Sequence, residues 1–126
     1  NDPTVHRSVA LVRFDVGVEA LRRGERAKGI KQLELAVSHG VAATTLMDPS
    51  HDRVLSLGAE RLRCNETLVG LYALLGRRAE AEAVIRSLPS WVRPSTIVGL
   101  ESQYAEYTEL RRRLIDRAAD DGSKGQ

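Results

Sequence analysis

Two stretches decide how this chain folds: ALRRGERAKGI at residues 20–30 and YALLGRRAEAE at residues 72–82. Each joins a run of helix formers to a single glycine, then charged residues, then a second helical run. A glycine there supplies the left-handed backbone that ends a helix, because it has no Cβ to clash. Gly24 and Gly76 are therefore expected to form the tight turns of two helical hairpins, 52 positions apart.

The helices extend outward from these turns. Asp2 is a good N-cap and Pro3 suits the first helical position, where its missing N–H costs nothing. The first helix is expected from there to Arg23. The second runs from Glu25 or Arg26 to about Ser38, where His39-Gly40 is expected to stop it, leaving VAATTLM at 41–47 as a connection. Asp48 and Pro49 repeat the starting chemistry, and the third helix reaches Leu75, with Gly58 as the place for a bend or break. A fourth spans Arg77 to Leu88 and ends at Pro89. The fifth starts near Ser95 and continues to about Ala119, with Leu100, Tyr104, Tyr107, Leu110, Leu114 and Ala118 forming one stripe at intervals of three and four. Trp91, in the connection LPSWVRP, is expected to pin that loop to the core.

Composition agrees with this division. In 126 residues aromatics make up only 4%, and Ala, Leu, Arg and Glu dominate without any β-type alternation, so the class is all-α and the length fits one domain. The expected organisation is a single helical domain over 1–119, with units at about 3–40 and 49–89 and a capping helix at 95–119. Residues 120–126 form a disordered tail.

The two helix starts echo each other, DPTVHR from Asp2 and DPSHDR from Asp48, but they lie 46 positions apart against 52 for the turns. Six residues turn a helix by about 240° beyond whole turns, so Arg7 and Arg53 fall on different faces of their hairpins. The echo is capping punctuation. The repeat is centred on the glycines.

Around those glycines, Val16, Gly17, Ala20, Gly24, Gly29, Leu33 and Ala36 in one unit, and Leu68, Val69, Tyr72, Gly76, Ala81, Ile85 and Leu88 in the other, occupy the spacing of the tetratricopeptide repeat. The chain resembles that family over 10–41 and 62–93. It departs from the pattern where Arg13 and Asn65 replace the large aromatic and where Val41 and Arg93 replace the closing proline. The resemblance implies antiparallel hairpins stacked as a short right-handed superhelix of about five helices, with the fifth as cap.

It also implies a groove lined by the first helix of each unit, which receives a peptide or partner helix. By position the partner-binding residues are Leu11, Phe14, Val18, Leu21 and Arg22 from the first unit, with Arg63 and Glu66 from the second, flanked by Gly70 and Ala73. The first helix is apolar round most of its circumference and needs cover on two sides. Either helix five folds back across the groove with Tyr104 and Tyr107, closing the domain and leaving no peptide site, which is the reading we favour, or another chain or a further N-terminal domain covers it.

The function implied is a protein–protein interaction or scaffolding module, with a protein, a peptide or a second copy as partner. The alternative is an effector-sensing or oligomerisation domain of a bacterial transcription regulator; the Arg-over-Lys skew, sixteen to three, hints at a bacterial source. An enzyme is not expected: no glycine-rich phosphate loop, nucleophile elbow or carboxylate pair is present, and Ser50, His51 and Asp52 are too close in sequence to form a triad. His6, His39 and His51 lack metal-ligand spacing, so neither metal nor cofactor is expected. The net charge of +2 is mixed along the chain, and Arg111, Arg112 and Arg113 fan around a helix with Glu109 and Asp116 nearby, which disfavours nucleic acid. No run approaches the roughly 18 apolar residues of a membrane span, and the single Cys64 suits a reducing, cytoplasmic compartment.

Overall fold

The computed structural model describes residues 2–46 and 55–116. Within them the chain is all-α, with no strand, in the order α1 (Pro3–Arg22), α2 (Arg26–Leu46), α3 (Leu55–Leu74), α4 (Arg78–Arg86) and α5 (Pro94–Arg111). A π-helical turn, Arg112–Asp116, follows α5 directly. The expected start of the third helix at Asp48-Pro49 and everything beyond Asp116 lie outside the described residues.

Asp2 caps α1 as expected, its Oδ1 accepting the Thr4 N–H at 2.8 Å ahead of Pro3. The two turns are built identically. Gly24 donates to the Leu21 carbonyl and Glu25 to that of Ala20; Gly76 donates to Ala73 and Arg77 to Tyr72. These paired 6→1 and 5→2 bonds make a Schellman motif, which needs a positive φ at its glycine. Gly24 has φ 81° and Gly76 φ 72°.

Pairings across the first hairpin fix its direction. His6 meets His39, Arg13 meets Gln32, and Gly17 faces Gly29, so rising numbers on α1 meet falling numbers on α2. Small residues allow the approach: a Cβ on Gly17 would sit 3.0 Å from the Gly29 carbonyl oxygen.

Two expectations need correction. The second helix does not stop at Ser38; α2 runs through His39-Gly40 to Leu46. Gly40 is buried, and a Cβ there would come within 2.8 Å of Leu68 Cδ2 on α3. The glycine is a helix–helix contact, and packing there outweighs the propensity cost of about 1 kcal/mol. Further on, Thr44 and Thr45 turn their hydroxyls back to the Val41 carbonyl, and Ala43 packs on Cys64. Nor does α3 break at Gly58, where the helix is continuous.

One core joins the elements. Val18 and Leu21 from α1, Leu33, Ala36 and Val37 from α2, Leu68, Leu71, Tyr72 and Leu74 from α3, Ala81 from α4 and Ile115 from the π turn pack into a single cluster. The loop before α5 is held by buried Val92, while Trp91 is 47% exposed, the reverse of the anchoring expected for the tryptophan.

Candidate functional site

The groove between α1 and α3 is where α5 lies. Three contacts attach α5 to α3 with a constant offset. Gln103 Nε2 donates to the Glu66 carbonyl at 2.9 Å, Tyr107 lies over Gly70, and Arg111 Nη1 donates to the Leu74 carbonyl at 2.7 Å. Each pair is 37 positions apart and each step advances four residues on both helices, so α5 runs parallel to α3. Gly70 makes this possible, since a Cβ there would stand 3.1 Å from Tyr107 Cε2. Arg111 reaches a carbonyl at the end of α3, where a cation also complements the helix dipole.

From that position Tyr107 crosses to α1. Its ring meets Phe14 edge-on, with centroids 5.6 Å apart and an interplanar angle of 85°. The contact bridges the groove and leaves a depression on each side. One, of about 450 Å³, is lined by Arg7, Leu11, Phe14, Asp15, Arg63, Glu66, Thr67, Gly70, Gln103 and Tyr107. The other, of about 430 Å³, is lined by Phe14, Asp15, Val18, Glu19, Arg22, Tyr107 and Leu110.

Six of the seven residues expected to bind a partner line one depression or the other, and Phe14 lines both. Leu21 lines neither; it is buried in the core beneath α1. Val18 is also buried, Phe14 and Glu66 are half-buried, and Leu11, Arg22 and Arg63 are exposed. Two of the groove's cations share one carboxylate: Glu60 accepts Arg7 from α1 at 2.9 Å and Arg63 from its own helix at 3.2 Å.

Other groups were not legible beforehand. His6 Nδ1 and His39 Nδ1 lie 3.1 Å apart with ring centroids at 5.4 Å, so the rings meet end to end and share one hydrogen bond, one donating and the other accepting. Once the Gly24 turn is placed, counting back along both helices brings these two histidines opposite each other. The Arg7–Glu60 and Arg111–Leu74 contacts leave no such signal. They depend on how one hairpin sits on the next. Of the three consecutive arginines, Arg112 pairs with Glu109, and Arg111 turns inward to α3 while also reaching Asp116 at 3.4 Å.

Among the described residues no three His, Cys, Asp or Glu side chains gather as a metal ion requires. No described helix is long and apolar enough to cross a membrane. Burial chiefly, then the nearby Glu60 carboxylate, push the Cys64 thiol up from its ordinary range, and the Arg7 charge only partly offsets this. The thiol therefore stays protonated at neutral pH, and the thiolate is the reactive form. Iodoacetamide should label Cys64 far more slowly in the folded chain than in denaturant at the same pH; equal rates would contradict its burial.

A further cleft of about 450 Å³ lies between α4 and α5, with Ala81, Ile85 and Tyr104 along its walls and Arg78, Glu82, Arg86 and Glu101 around them. No family model, curated protein or solved structure matches the chain.

Proposed function

We propose that this chain is a helical-repeat protein–protein interaction module, a short right-handed tetratricopeptide-like superhelix whose groove takes an apolar segment of a partner peptide or helix. The observation that carries the reading is the pair of depressions flanking Phe14 and Tyr107, lined by Leu11, Phe14, Val18, Arg22, Arg63 and Glu66. Pockets of a few hundred Å³ with an aromatic anchor are where binding energy concentrates at interfaces.

The repeat reading draws further support from two offsets. The Schellman turns match atom for atom at a spacing of 52. In addition, α5 lies parallel to α3 at an offset of 37, close to the 34-residue repeat of the resembled family, as the first helix of a further unit would. In this reading α5 is both cap and gate. Tyr107 holds the groove closed at its middle and would give way to, or clasp, an incoming side chain. The buried single thiol suits a cytoplasmic setting.

Peptides selected from a random library against the 126-residue chain test the groove. Leu11 is exposed, so Leu11→Asp should leave helicity and melting unchanged while weakening selected peptides at least tenfold, about 1.4 kcal/mol. Peptides that bind Leu11→Asp and Phe14→Ala as well as the parent chain would place the site elsewhere. The second reading, an oligomerisation domain of a regulator, draws on a different surface.

A further inference from the structure

A stripe of exposed apolar residues lies on the other side of the first hairpin. Val5 is 56% exposed, Val12 60% and Val16 42%, with Val9 half-buried between them. Their spacing of four, three and four residues makes one stripe along α1. At about 100° per residue it points roughly 170° away from Phe14 and Val18, which face the groove and core. On α2, exposed Leu35 turns well away from Gly40, the residue that meets α3, and so lies on the same outer side. At the turn end Val16 and Lys28 line one shallow depression together with the charged Asp15, Glu19, Arg23 and Glu25, so the apolar stripe is bordered there by charge.

Three features bear on its fit to a copy of itself. The first is area. Helices of 20 and 21 residues are about 30 Å long and, lying 8–10 Å apart, present a face roughly 20 Å wide, or about 600 Å². Two such faces bury about 1,200 Å², the lower bound of a stable interface. The second is charge. The ions at the turn end are paired within the chain, Arg23 with Glu19 at 3.2 Å and Lys28 with Glu25 at 3.4 Å, while Arg13, bonded to Gln32 at 3.0 Å, and Lys31 are cations on this side that a second copy has to accommodate. The third is symmetry. Val12, the most exposed of the stripe, lies at the midpoint of α1, where a two-fold axis would bring it against its own counterpart.

We propose that two copies of this chain pair through the outer face of the α1–α2 hairpin, forming a four-helix bundle about a two-fold axis. The pairing uses a surface distinct from the groove, so each can fail without the other.

Sedimentation of the 126-residue chain from micromolar to tenths of millimolar concentration tests it. The expected mass is twice the 13.9 kDa of one chain. Val12→Glu sets two carboxylates against each other at the axis and should return the mass to that of one chain with helicity unchanged, whereas Leu11→Asp should remain a pair. If Val12→Glu loses helicity, Val5→Glu on the same stripe carries the test. A single-chain mass at every concentration overturns the proposal, as does a pair that survives a folded Val12→Glu or Val5→Glu. Loss of peptide binding in Leu11→Asp, with the pair intact, bears on the groove alone.

Discussion

Gly29→Val is expected to destabilise the chain by about 3 kcal/mol, the upper part of the range for overpacking a close contact. Gly29 is buried where α2 crosses α1. A Cβ there would stand 2.6 Å from Leu21 Cγ, 2.8 Å from Leu21 Cδ2 and 2.9 Å from the Gly17 carbonyl oxygen. Leu21 is itself held in the core and the carbonyl belongs to α1, so neither can withdraw without moving the helix. Valine's helix preference over glycine, a few tenths of a kcal/mol, does not offset this. Gly99 provides the opposite case. It lies inside α5 with nothing within 4 Å of a Cβ, so Gly99→Ala should stabilise by about 0.5–1 kcal/mol. Denaturant unfolding followed by circular dichroism reads both changes. Equal midpoints for the two variants would contradict the close α1–α2 crossing.

The second large effect is expected at Leu71. It is fully buried and belongs to the core cluster that α1, α2, α3, α4 and the π turn share, so Leu71→Ala opens a cavity in that core. Leucine-to-alanine changes at such sites cost about 3–5 kcal/mol, a large fraction of the 5–15 kcal/mol typical of a domain. The loss should be shared by every helix. The far-ultraviolet signal and the near-ultraviolet signal of the aromatic residues, Tyr72, Trp91, Tyr104 and Tyr107 among them, should move together to a lower midpoint. If the aromatic signal is lost well before the helices melt, the helices do not share one cooperative core.

The two turns were legible because a C′ glycine is a strong local signal: its demand for positive φ does not depend on the rest of the chain. The stripe on α5 was legible for a similar reason, since a period of three and four residues can be counted on one helix; Leu100 is buried and Tyr104, Tyr107, Leu110 and Leu114 are all half-buried. Gly40 was misread because a glycine that ends a helix and one that lets another helix approach look alike in sequence. Only the presence of Leu68 against it separates them. Trp91 was misread because hydrophobicity alone does not say which of two adjacent residues, Trp91 or Val92, turns inward.

The candidate groove came from a family pattern of positions, six of whose seven residues line the two depressions, and the stripe on helix five pointed to Tyr107 but not to the contacts that seat it. Gln103, Tyr107 and Arg111 meet α3 at Glu66, Gly70 and Leu74 through backbone carbonyls and a missing Cβ. Such partners carry no side-chain signature. The outer stripe of valines had been counted as part of an all-round apolar helix, and the structure divides that circumference into a buried side and an open one.

α5 lies along α3 and bridges the groove at Phe14. Phe14 is the only phenylalanine in the chain, so its ring protons can be assigned without ambiguity. Nuclear Overhauser contacts between the Phe14 and Tyr107 rings are the direct measurement. At a centroid separation of 5.6 Å they should be strong, and Tyr107→Ala should shift the Phe14 ring resonances markedly. An absence of contacts to Tyr107, with Phe14 resonances unchanged by Tyr107→Ala, would contradict this arrangement.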